Sequence, residues 1–452
     1  SGNRVKVLNN GLVVRDVAFM GADHPIEVDI GGIQQIEIVK GPSSILYSNG
    51  AIGGIVNIVD NTIAKEDVLE NVFNLGFESQ SVNDGDNYNI DYSGSVEGLN
   101  LFFSHSSKNL DNFDIPDEAV IHEPGEDHDE FSYLPNSDSK LAATRLGISK
   151  TGDWGYYGIS SVIIDQLNGV PFHGEEEEEE GEEHEDERIF AVTDSSVINI
   201  EGEYFLNGPI NSIAYSLRET DSTLTEQHEE HHEEGEEEEE EEEEHGATTF
   251  TNNSEEAQVI LDISNANNEQ KLVFNLANSD SSVVKEVGTP SMRPAETTES
   301  TIGYFLGTNF NDLHMDLGIR YDQINVKGTL LNNSVVTNHD LDFDNLSFSA
   351  SLNGSLSNNF EATLGVSNVE RAPSSVELLM NGKHMAIQRH EVGSVALDSE
   401  EATNIDLEVS YKLNDIKFNM LYFQNDIDNY IYLQDDANGT KICLLYTSPS
   451  PR

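Results

Sequence analysis

The chain has 452 residues, and 84 acidic against 23 basic side chains give it a formal charge of -61. That balance excludes a phosphate-binding surface for nucleic acid and favours cationic partners. Hydrophobic residues make up 37%, and no apolar run approaches the roughly 18 residues of a membrane helix, whereas a strand barrel needs apolar residues only at alternate positions.

Residues 1 to about 62 read as one small unit. A strand around Val5–Leu8 and the turn Asn9-Asn10-Gly11 lead into a second strand, Leu12–Val17, and a loop carrying Asp23 and His24. Two apolar strands follow, Ile36–Val39 and Ile55–Val59, joined through Gly41-Pro42, Ser48-Asn49-Gly50 and Gly53-Gly54. Glycine at that density lets the backbone take positive φ and approach another surface closely.

From Val72 onward, period-2 patterns recur every 10 to 20 residues, separated by Asn, Asp, Gly and Ser. They begin with Val72–Phe77, Tyr88–Ser95 and Leu99–Ser104 and end with Asn404–Tyr411, Ile416–Phe423 and Asn429–Gln434, about sixteen strands in all. Tight turns such as Val96-Glu97-Gly98 and Asn207-Gly208-Pro209 alternate with long polar loops. Residues 63–442 therefore read as an antiparallel transmembrane β-barrel, with the short turns on the periplasmic side and the long loops outside. An open edge in lipid leaves backbone groups unpaired, so the visible strands are not expected to close a barrel by themselves.

Two of the long loops are low in complexity. Residues 173–187 read HGEEEEEEGEEHEDE and residues 227–246 read QHEEHHEEGEEEEEEEEEHG. With like charges and no apolar side chains, they are expected to be disordered without cations. His173, His184, His228, His231, His232 and His245 add imidazoles that suit zinc, copper or nickel, whereas bare glutamate runs are solvated charge. A third acidic stretch holds His122, Asp127, His128 and Asp129, and reads as surface solvation or accessory metal capture. The last ten residues, CLLYTSPSPR (443–452), match a reading frame of a common transposase sequencing adapter and are read as not native. That sets aside the single cysteine, Cys443, and leaves no disulfide or thiolate site to argue from.

The run IEIVKGPSSILYSNGAIGGIVNIVDN (36–61) resembles the end of the plug domain of TonB-dependent outer-membrane receptors, departing from the family at Ser48, where glycine is usual. The resemblance implies an α+β plug inside a barrel of about 22 strands, so the chain is read as a fragment lacking the first part of the plug and the last strands. It also implies a Gram-negative outer-membrane location, a monomer, and coupling to the TonB–ExbB–ExbD complex through an N-terminal box outside this chain.

Three further stretches resemble the zinc-uptake branch of that family: GADHPIEVD in the plug, YLPNSDS with the following Gly169-Val170-Pro171, and RAPSSVELLMNGKHMAIQRHEVG (371–393). The turn and strand NDIDNYIY (425–432) resembles the family barrel. In that branch the plug Asp and His and the loop His bind metal, which implies Asp23, His24 and His384 as ligands here. His390 departs from the family, which has an aromatic there, and is a possible added ligand, while Glu391 reads as structural. The family's wall carboxylate is expected near Phe305–Asn309, where no acid occurs, leaving Glu296, Glu299 or a water as the fourth ligand.

The expected function is TonB-dependent uptake of zinc or a similar divalent transition metal, without covalent chemistry and with no cofactor beyond the transported ion. The rival readings are a receptor for a metal chelate such as a siderophore or haem, copper or nickel uptake, and a surface metal buffer without transport. Chelate receptors call for aromatic and arginine-rich loops, and these loops have almost no arginine.

Overall fold

The computed structural model describes residues 4–21, 24, 26, 32–39, 44–116, 132–171, 188–229, 246–286, 288–332, 335–384, 389–435 and 441–447. The first unit is a four-stranded sheet of β1 (Lys6–Asn9), β2 (Leu12–Val13), β3 (Ile33–Val39) and β4 (Ile55–Asp60), in the order β2-β1-β4-β3. β1 runs antiparallel to β2 and parallel to β4. Asn10 and Gly11, at φ 50° and 84°, make the tight turn between β1 and β2. The strand expected over Leu12–Val17 stops at Val13. Asp16 then accepts a hydrogen bond from the Ala18 N–H and caps a 3-10 turn, Val17–Phe19, so the side chain ends the strand by offering the backbone a local alternative. A four-residue helix, α1 (Ser44–Tyr47), lies in the glycine-rich connection.

The next strands are β5 (Val72–Gln80), β6 (Gly85–Val96), β7 (Leu99–Leu110), the short pair β8 (Phe113–Asp114) and β9 (Tyr133–Leu134), then β10 (Ser139–Gly152), β11 (Gly155–Gly169), β12 (Arg188–Phe205) and β13 (Ser212–Glu229). They continue with β14 (Thr248–Asp262), β15 (Asn268–Lys285), β16 (Met292–Phe310), β17 (Leu313–Asn332), β18 (Val335–Ser357) and β19 (Phe360–Arg371). After α2 (Ser375–Leu379) come β20 (Asn381–His384), β21 (Arg389–Val392), β22 (Glu400–Leu413), β23 (Ile416–Asp428), β24 (Tyr430–Asp435) and β25 (Lys441–Thr447). Fifteen of these form one antiparallel wall that runs from β5 to β23 in chain order, skipping only the short strands. Among the described residues, β5 and β23 do not pair with each other.

One strand counted from the sequence does not belong to the wall. The run Asn429–Gln434 was expected to be the sixteenth wall strand; instead β24 joins β25, β21 and β20 in a separate four-stranded sheet. Asn429 takes φ 55° and turns the chain, Glu400 accepts the Ile431 N–H at 2.7 Å, and Ile431 is buried in the largest apolar cluster. These contacts draw the segment inward, away from β23.

The wall is polar inside and apolar outside, the reverse of a water-soluble sheet sandwich. Phe73, Leu75, Phe77, Ile198, Ile200, Phe274, Leu276, Ile319 and Phe348 point outward and are exposed. Ser195, Asn199, Ser222, Asn252, Asn275, Asp322 and Ser347 point inward and are buried. Near the short turns, Trp154 lies 5.5 Å from Tyr157 and 5.3 Å from Tyr204, an aromatic group of the kind found where a barrel meets the membrane interface.

The first unit is held against the inner face of this wall by ion pairs. Arg15 contacts Glu256 on β14 and Glu299 on β16, Arg4 pairs with Glu400 on β22, and Asp60 faces Arg145 on β10. Gly50, at φ 60°, lies so close to Arg371 that a Cβ would come within 2.7 Å of its side chain. Arg371 in turn grips Glu400 through Nε and, through its two terminal guanidinium nitrogens, Glu377 of α2 at 2.9 and 3.0 Å. The RAP and EL elements of the sequence thus form one corner at which wall, α2 and the first unit meet.

Candidate metal centre

Three chemistry-bearing side chains from distant parts of the chain meet at the inner face of the wall. His24 lies just beyond the 3-10 turn of the first unit, His384 ends β20, and Glu226 lies near the end of β13. One ligand atom from each falls within 4.8 Å of the others, and all three residues are buried. Among the described residues this is the only such group of three.

Local structure explains each placement. On β13 the inward parity runs through Ser222, Leu224 and Glu226. β20 lies against Ser291 because Gly382 has no side chain; a Cβ there would come within 2.0 Å of the serine hydroxyl oxygen. His24 is oriented by the preceding 3-10 turn, since its Nδ1 lies 2.8 Å from the Val17 carbonyl oxygen, which can only accept. In the neutral ring Nδ1 therefore carries the proton, and Nε2 is left as a lone pair.

That lone pair faces a carboxylate. His24 Nε2 lies 3.5 Å from Glu226 Oε1 and has no hydrogen-bond partner, and Glu226 Oε2 has none either. His384 Nε2 is 3.2 Å from the same Oε1, and its Nδ1 is 3.6 Å from Glu391 Oε2. Two facing acceptors buried together are unfavourable unless a metal cation or a proton lies between them. The surroundings are dry: the Phe250 ring packs 4.5 Å from His24 and 5.3 Å from His384, within a cluster that includes Val17, Leu224, Met292 and Met380. Two imidazoles and a carboxylate suit zinc and other divalent transition metals better than calcium or magnesium, which prefer oxygen alone.

Not every residue expected from the sequence meets here. Asp23 lies outside the described residues, as do His173, His184, His231, His232, His245 and the stretch holding His122, Asp127, His128 and Asp129. His228 is placed only as backbone at the end of β13. His390 turns to Asn381, with Nε2 2.9 Å from Oδ1, and is not part of the group. The carboxylate expected near Phe305–Asn309, or from Glu296 or Glu299, is not there: Glu299 is bound to Arg15 and Asn49, and Glu296 is exposed on the wall. The carboxylate beside the histidines is Glu226, which sequence reasoning missed. Its signal was parity, because it sits an even number of residues from buried Ser222 and Leu224, one residue before the acidic run begins.

A family model described as "TonB dependent receptor-like, beta-barrel" matches residues 206–449, and the TonB-dependent receptor plug domain matches residues 1–55. Among solved structures, the fold is similar to the FrpB iron transporter from Neisseria meningitidis (TM-score 0.73, 12% identity, covering 98% of this chain and 68% of that one). It is also similar to the copper transporter OprC (0.75, 12%, 98% and 67%) and to the Serratia marcescens hemophore receptor HasR (0.76, 12%, 100% and 70%). At such identities these likenesses show the fold alone. With more than half of its length matched by the barrel model and its start by the plug model, the chain belongs to the TonB-dependent receptors, a family of transporters and receptors.

Proposed function

We propose that this receptor takes up zinc, or a closely similar divalent transition ion, across the outer membrane of a Gram-negative cell, with energy supplied by the TonB–ExbB–ExbD complex. The observation that carries the reading is the buried His24 Nε2 facing Glu226 Oε1, with His384 on the same oxygen. This is a site for a bare cation. A siderophore or haem would need a cavity, whereas these atoms lie within one coordination sphere of each other.

The acidic loops fit the same reading by position. Segment 172–187 lies between β11 and β12 and segment 230–245 between β13 and β14, so the second leaves the wall from the strands that carry Glu226 and Phe250, and the first from the two strands that precede them. In this proposal, their charge concentrates cations at the mouth, imidazole favours transition metals, and the ion passes down to the centre. Copper is the second reading, because the Irving–Williams order favours it at any imidazole site and the copper transporter OprC shares the fold.

Labelled-zinc uptake by zinc-starved cells carrying the full-length receptor tests the function. Uptake that requires both TonB and Glu226 supports it. Zinc uptake equal in cells with and without the receptor, alongside receptor-dependent copper uptake, replaces it with the second reading.

A further inference from the structure

The inner face of β12–β15 is a ladder of side-chain rows fixed by strand register. Ala191, Glu226, Thr248 and Lys285 lie opposite one another in the row of the metal centre. The next row toward the short turns is Thr193, Leu224, Phe250 and Val283, and the one after it is Ser195, Ser222, Asn252 and Ser281. Then come Thr220 with Ser254, and Arg218 between Asn199 and Glu256. Directly beneath the centre there is thus an apolar row, and beneath that a polar surface. Thr193 carries the one polar side chain in the apolar row across these four strands.

Four of these strand residues present buried oxygens with no protein hydrogen-bond partner: Thr248 Oγ1, Thr193 Oγ1, Asn252 Oδ1 and Asn199 Oδ1, in residues no more than 5% exposed. Glu226 Oε2 heads the same file. All are acceptors, which suit a cation or its water.

The plug segment that supplies His24 also covers this file. Val17 N–H donates to Ser222 Oγ, Asn252 Nδ2 donates to the Arg15 carbonyl, and His24 is held by the Val17 carbonyl. At the lower end stand two positive charges. Arg15 binds Glu256 and Glu299, and Arg218 donates to the carbonyl oxygens of Asn9 and Leu12.

We propose that the ion leaves the centre along the inner face of β12–β14, crossing the apolar row at Thr193, when the segment bearing Arg15, Val17 and His24 withdraws. One movement then removes a ligand, uncovers the oxygen file and releases Glu256 and Glu299 from Arg15. While the segment is seated, it covers the file and Arg15 occupies both carboxylates, which prevents leak. The proposal rests on uptake of a bare divalent cation, and identifies the residues over which it moves.

The test compares Thr193→Val and Thr193→Ser in the full-length receptor, measuring zinc affinity on purified protein and TonB-dependent zinc uptake in cells. Valine keeps the shape and removes the hydroxyl. Uptake by Thr193→Val should fall roughly tenfold, the effect expected from losing one oxygen contact to a charge, with zinc affinity unchanged. Thr193→Ser should restore the rate. In addition, Thr193→Cys should react with a small water-soluble thiol reagent only in energised cells, and zinc should slow that reaction. Wild-type uptake by Thr193→Val, or Thr193→Ser as slow as valine, overturns the route and leaves the metal centre standing. A wild-type receptor that takes up no zinc overturns the function, and the route with it.

Discussion

At the residue scale, the centre works by leaving acceptors without donors. The Val17 carbonyl fixes the His24 tautomer, so its lone pair and the Glu226 carboxylate create a local deficit of positive charge, which in the proposed function a divalent ion fills. Because the ligands come from the first unit, from β13 and from β20, removing one should cost affinity without unfolding the others. His384→Ala should weaken zinc binding about a hundredfold or more, since loss of even an outer-shell partner costs 10 to 100-fold. His390→Ala should leave it within about twofold by the same reasoning, because His390 is spent on Asn381. Competition with a chromophoric chelator measures both. The two histidines of the group could be read from the sequence because they stand in motifs, DHP and NGKH. Glu226 could not, because it sits beside glutamate-rich sequence in which every acid looks alike, and only register against Thr248 and Ala191 separates the one that points inward.

At the scale of elements, the corner around α2 holds the loop that delivers His384. Ser374 caps the helix, with Glu377 completing the reciprocal capping box, and Glu377 also takes both arms of Arg371. Burial opposes ionisation of Glu377, but the Arg371 guanidinium and the Ser374 N–H outweigh it and hold the carboxyl below its ordinary range. The sign follows from linkage: a carboxyl with a depressed folded pKa stabilises the corner above its unfolded value of about 4.3. That contribution disappears as the pH falls through the lower folded value. Hydrogen exchange in α2 should therefore accelerate below about pH 4 in the wild type, and Glu377→Gln should lack that step. Arg371→Ala leaves Glu377 without its cation and Glu400 with Arg4 alone, and should destabilise the corner by about 3–5 kcal/mol, measured by denaturant titration. Ser374→Ala should cost only about 1 kcal/mol. The wall strands were legible because alternation survives in almost every one. β24 was misplaced because YIYLQ alternates equally well in either sheet, and the turn at Asn429 and the pull of Glu400 on Ile431 are tertiary facts.

At the scale of the whole molecule, the charge of -61 has a direction. The described ends of β11 and β13, from which the two acidic segments continue, lie on the side of the wall where Glu226 stands, and in the proposed function their charge draws cations to the mouth. Capture should then depend on salt, because exposed charges are screened beyond about 8 Å at physiological ionic strength. Raising salt should slow zinc association with the intact receptor more than with a variant lacking residues 172–187 and 230–245, as followed by stopped-flow. Equilibrium affinity at the centre should be the same in both.

The most direct measurement is a competitive zinc and calcium titration of the full-length receptor, with both acidic loops deleted so that only the centre reports, comparing wild type with Glu226→Gln. The account predicts one tight zinc site that calcium does not displace, lost in Glu226→Gln. A tight site that survives the substitution, or a site that calcium fills as readily as zinc, would contradict it.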